Sequence, residues 1–90
     1  MIYFIYGDDV VKRRLAKEAL ARIFTIAVTH KINNDNINII DEGIDAQDIF
    51  GDTIIYELHG LLENKDSREY LYDRLEPMMN SQNVFIIDDI

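Results

Sequence analysis

The sequence predicts an α/β domain: a three-layer fold in which a parallel sheet of about four strands is flanked by helices, in the order β-α-β-α-β-α-β. Three observations carry this. IYFIY at 2–6, TIIYEL at 53–58 and NVFIIDD at 83–89 are dominated by β-branched and aromatic residues without polar alternation, the pattern of strands covered on both faces. Helical segments lie between them, which argues for parallel strands joined by right-handed crossovers. Ninety residues suffice for one core and not for two, so 1–90 reads as a single domain, either minimal or the leading piece of a longer protein.

The first strand, 2–6, is expected at the centre of the sheet. Gly7 makes the turn, Asp8 or Asp9 caps the next helix, and Val11, Leu15, Ala19 and Ile23 recur every four residues, with Ala16, Leu20 and Phe24 beside them. This is an amphipathic helix of about four turns, with Lys12, Arg13, Lys17 and Glu18 on its other side. KINNDN at 31–36 competes for local backbone bonds and breaks the helix into a loop. A short strand is expected at Ile37 to Ile40, then a weakly helical turn from Asp41 to Phe50 ended at Gly51. After the strand at 53–58, Asp66 and Glu69 are spaced as a capping box, and the helix they open carries Tyr70, Leu71, Leu75 and Met78. Pro77, which lacks an N–H, closes or kinks it. The run at 83–89 is the last strand.

Composition narrows the function. With 48% hydrophobic and 29% charged residues the chain is globular. Its net charge of −8, from 17 acidic and 9 basic residues, disfavours direct nucleic-acid binding. The charge is uneven: residues 1–30 carry five basic and three acidic groups, whereas 31–90 carry four and fourteen. The first helix is thus the basic surface. There is no cysteine, so neither disulfides nor thiolate metal sites arise. No apolar run reaches membrane-span length and the start lacks the pattern of a signal peptide, so the expectation is a cytoplasmic protein without a membrane partner.

The turn after the first strand has the outline of a phosphate site. A P-loop needs GxxxxGK[ST], but Gly7 is followed by Asp8, Asp9, Val10, Val11 and Lys12, with no second glycine and two carboxylates where phosphate oxygens would sit. GxGxxG is absent as well. The stretch reads as a helix cap, and no cofactor is expected. VFIIDD at 84–89 looks like the magnesium-holding strand end of an NTPase, and Asp8, Asp9, Asp88 and Asp89 would converge at the carboxyl edge of the sheet, as hard oxygen ligands for Mg²⁺. That alternative is a receiver-like or Mg²⁺-binding regulatory domain. A receiver also needs an aspartate ending its third strand, where this chain has Tyr56, Glu57 and Leu58, and a fifth strand followed by a lysine.

His30 and His59 have no partner at ligand spacing and read as surface or loop residues, and no serine or cysteine nucleophile sits in a recognisable turn. The expectation is a protein without enzymatic activity. Lys12, Arg13, Arg14, Lys17 and Arg22 read as a solvated face that an acidic partner would meet. Ile49 and Phe50 stand out: neighbours on a helical turn differ by about 100°, so both cannot easily face the core, and an exposed aromatic–aliphatic pair is an anchor for a partner's groove.

In order and approximate spacing, IYFIYGDD, IFGDTIIYEL, LLENKDSREYLYDRL and NVFIIDD resemble the N-terminal domain of the delta subunit of bacterial DNA polymerase III, the clamp-loader subunit that opens the sliding clamp. In that family a strand ends in Gly-Asp/Glu-Asp, a Leu-Phe pair precedes a small residue and a strand, and a later strand follows an asparagine. The resemblance implies an AAA+-like fold of the P-loop or Rossmann-like type without nucleotide binding. It also implies that Ile49 and Phe50 match the hydrophobic pair inserted into a pocket on the clamp. This chain has isoleucine where leucine is commoner, and it lacks the family's helical second domain and collar domain. The leading expectation is a non-enzymatic protein-binding domain that contacts a sliding clamp through Ile49 and Phe50. A small α/β module with another partner is the blander reading.

Overall fold

A computed structural model describes residues 1–6, 9–23, 28–47 and 53–89. Strands β1 (Ile2–Tyr6), β2 (Val28–Ile32), β3 (Ile54–His59) and β4 (Val84–Asp89) form one parallel sheet in the order β1-β4-β3-β2. Helices α1 (Val10–Ile23), α2 (Ile39–Asp45), α3 (Lys65–Tyr72) and α4 (Leu75–Asn80) connect them, with a short 3₁₀ turn at Asn34–Asn36.

The strand order explains the layers. The chain crosses from β1 to the far edge at β2, then returns one strand at a time. With right-handed connections, that reversal puts the first crossover on one face and the later ones on the other. Accordingly, Leu20 of α1 packs with Tyr3, Ile5, Ile55, Val84 and Ile86. On the opposite face Ile40, Leu71 and Met78 meet Ile32, Tyr56, Leu58, Phe85 and Ile87. The second face holds most of the core. Tyr56 stacks between His30 (centroids 5.4 Å) and Phe85 (5.2 Å), and a Cβ on Gly43 would come within 2.8 Å of its ring.

β1 lies at an edge of the sheet, not at its centre. Its apolar run reports cover above and below, by α1 on one face and by α3 and α4 on the other, and says nothing about strands on either side. The segment expected as a strand at Ile37 to Ile40 instead leads into α2, because Ile37, Ile40 and Ile44 recur at helical spacing and pack on the core. The second strand lies earlier, at Val28–Ile32, and Asn33 follows it, its side chain accepting from the Asp35 N–H at 2.9 Å.

Asn64, not Asp66, caps α3: its Oδ1 accepts from the N–H groups of Asp66 (2.9 Å) and Ser67 (3.2 Å). The helix breaks at Asp73–Arg74, ahead of Pro77. A continuous helix would drive the proline ring into the carbonyl of Asp73, four residues back, whereas in the first turn of α4 Pro77 needs no N–H. Asp41 braces this corner: Arg74 Nε donates to it at 2.5 Å, the Tyr70 hydroxyl donates to it, and the Arg74 guanidinium lies 3.4 Å from the Tyr70 ring centroid. These bonds, the one to Arg74 foremost, hold the Asp41 carboxyl below its ordinary range.

α1 departs most from its sequence pattern. Arg13, Lys17 and Leu20 face the sheet, while Val10, Val11 and Leu15 are more than half exposed. Energetics favour this phase. Val11 and Leu15 are already about half covered, so seating both fully would add only about 1.5–3 kcal/mol in all, whereas a buried carboxylate on the sheet, left without cations, costs about 3–5 kcal/mol. That carboxylate is Asp88.

Candidate functional site

Because every strand is parallel, all carboxyl ends lie along one edge. Register sets Ile5 beside Asp88, Tyr6 beside Asp89, and His59 beside Asp88 on the other flank. The strand that ends in acids therefore adjoins the strand whose turn has the outline of a phosphate site. α1 starts above this edge: Asp9 Oδ1 accepts from the Lys12 N–H at 3.1 Å and the Asp9 carbonyl from the Arg13 N–H at 3.1 Å.

One turn further, Arg13 and Lys17 reach down to Asp88, which is 8% exposed. Lys17 Nζ donates to Oδ2 at 2.8 Å and an Arg13 terminal nitrogen to Oδ1 at 3.3 Å. His59 Nδ1 lies 3.3 Å from Asp88 Oδ2, and its Nε2 is 3.6 Å from Glu57 Oε2. Burial pushes the Asp88 carboxyl up, but the Lys17 hydrogen bond and the charges of Lys17, Arg13 and His59 outweigh it and hold it below the ordinary value.

This geometry limits the chemistry. Both Asp88 oxygens and the Asp9 Oδ1 are committed to donors within the protein, and a Mg²⁺ ion at Asp88 would have to displace Lys17 and Arg13. The two cations, for their part, point at the sheet instead of at an incoming phosphate. Among the described residues no group of three His, Asp or Glu is arranged to hold a metal. Asp8 lies outside the described residues, as does the side chain of Asp89. Lys12, Arg14 and Arg22 are exposed as expected, whereas Arg13 and Lys17 are not part of the solvated face. Their pairing with Asp88 had no sequence signal beyond the i, i+4 spacing of two cations on a helix.

A second locus lies at the opposite edge, where α2 leads toward β3. Ile49 and Phe50 lie outside the described residues, but the stems on either side are described. Asn83, fully buried just ahead of β4, holds both. Its Nδ2 donates to the carbonyls of Gly43 and Ala46 at 2.7 Å each, and its Oδ1 accepts from the Ile54 N–H at 3.1 Å. Ser81 reinforces the link by donating its hydroxyl to the Ile44 carbonyl at 2.7 Å.

No family model matches the chain, and neither does a curated protein or a solved structure. Among the described residues no helix is long and apolar enough to cross a membrane.

Proposed function

We propose that this domain acts by contact and not by catalysis: a protein-binding module, similar to the clamp-contacting domain of a clamp-loader delta subunit, that meets a sliding clamp in the cytoplasm through Ile49 and Phe50. The observation that carries the reading is Asn83. An asparagine before the last strand is part of the resemblance, and here its side chain ties Ala46 to Ile54, the two stems of the segment that bears the pair. A segment anchored at both ends gives up less conformational freedom on docking than a free tail does. The ion pairs at Asp88 support the non-enzymatic half of the reading, since they occupy the carboxylate that a nucleotide's Mg²⁺ would need.

The test is a titration of the purified chain against an immobilised bacterial sliding clamp. Phe50→Ala is expected to weaken binding by about 2 kcal/mol or more, roughly thirty-fold, with an unchanged circular dichroism spectrum. Unaltered affinity overturns the proposal. So does a Phe50→Ala chain that no longer folds, because Phe50 would then belong to the core.

A further inference from the structure

We propose that the β1 edge and the apolar groove beside it form the interface of a symmetric homodimer, in which β1 of two copies pair antiparallel and join two sheets into one. This stands apart from the clamp reading, which concerns the segment between α2 and β3.

The two edges of the sheet are built differently. β2 carries Thr29, His30 and Lys31 and runs into the polar turn at Asn33, and a lysine on an edge strand discourages further pairing. Met1–Tyr6 has no charged side chain, proline or glycine. On the α3 and α4 side, β1 continues into a groove lined by Ile2, Phe4, Leu62, Tyr72, Leu75 and Met79. Among the described residues, three of the seven exposed large apolar side chains cluster here: Phe4 (50%), Tyr72 (56%) and Met79 (61%). Single exposed apolar residues are ordinary, but a contiguous patch on a sheet edge is not.

A second copy fits this surface. Most of the surface of a chain with net charge −8 repels its own kind, so self-association needs a patch where like charges do not meet, as along β1. The strand reads Ile-Tyr-Phe-Ile-Tyr, so antiparallel pairing with itself sets aromatic against aliphatic or aromatic in most registers, the cross-strand pairs that stabilise a sheet. A two-fold axis also makes the interface isologous, bringing the α3–α4 groove of each copy against the other's. A half-exposed aromatic presents about 100 Å². The three exposed side chains, with the mostly buried Ile2, Leu62 and Leu75, give about 900 Å² in total over both copies, the size of a weak, transient complex. A dissociation constant in the micromolar range is the expected strength.

The experiment is sedimentation equilibrium of the full chain from about 1 to 200 μM, a range that brackets this strength, with circular dichroism melts of each variant. Wild type is expected to pass from monomer to dimer across the range. Met79→Glu, which puts a charge into the groove, should weaken the dimer at least tenfold without lowering the melting temperature. Tyr72→Glu is read in its place if Met79→Glu fails to fold. Leu15→Glu, on the exposed side of α1, should leave the dimer intact. A chain monomeric at about 200 μM overturns the proposal and leaves the groove to a different partner. A dimer indifferent to the groove variants, or one dissolved by Leu15→Glu, overturns it equally.

Discussion

Replacing Asn83 by alanine tests whether one side chain holds α2, the segment before β3, and β4 together. The substitution removes three hydrogen bonds and leaves the Gly43 and Ala46 carbonyls and the Ile54 N–H without that partner, the first and last in buried surroundings. A typical bond contributes about 1 kcal/mol net, and an orphaned buried group costs about 1–3 kcal/mol. A loss of about 3 kcal/mol is therefore the conservative expectation, a large share of the roughly 5–13 kcal/mol available to a domain of this size. In a thermal melt followed by circular dichroism it corresponds to a fall of about 12–24 °C in Tm. Asn83→Asp sharpens the result, because it keeps the acceptor for Ile54 but sets an oxygen against the two carbonyls, and it should be at least as damaging at about pH 7. Native-state hydrogen exchange should also show the Ile54 amide losing protection. A Tm for Asn83→Ala within about 4 °C of wild type, or an Asn83→Asp variant as stable as wild type, would refute the argument.

Asp88→Asn probes the opposite edge. Asp88 titrates below its ordinary value of 3.8 when folded, so its contribution is complete above that value and lost as pH falls through the folded pKa. The variant should be less stable than wild type at about pH 7, with the gap in urea midpoints closing toward about pH 2 as wild-type carboxylates protonate. A gap constant across that range would sink the idea. Asp41 shares the acid sensitivity, so the variant's own midpoint should still decline with acid. Leu15→Ala should change stability by less than about 0.5 kcal/mol, measured by urea denaturation. A loss of about 2–5 kcal/mol, the usual figure for a buried leucine, would place the Val11–Leu15 side of α1 against the sheet after all.

The strands near the centre of the fold were legible because burial on two faces leaves an unbroken apolar run, as in TIIYEL and VFIID. β2 was not. Its VTHKI carries the polar residues of an edge, and it follows a helical pattern so closely that the apolar spacing runs on into it. The run INII misled in the opposite sense: β-branched residues read as strand, but the spacing of Ile37, Ile40 and Ile44 allowed a helix to bury them together. For α1, periodicity found the helix and its length but not its rotation. The deciding partner is a carboxylate 71 residues away from Lys17, which no local pattern reveals. Asn83 was equally hidden, since a single amide ahead of a strand looks like a turn residue until the carbonyls around it are known.

The pairing of Ile2 with Phe85 has a bearing on how the polypeptide folds. It joins strands 83 residues apart, whereas β2 and β3 are close neighbours in sequence. Closing so long a loop is entropically costly and slow, so β1 is expected to dock after the other strands, with its apolar side chains open to other chains until it does.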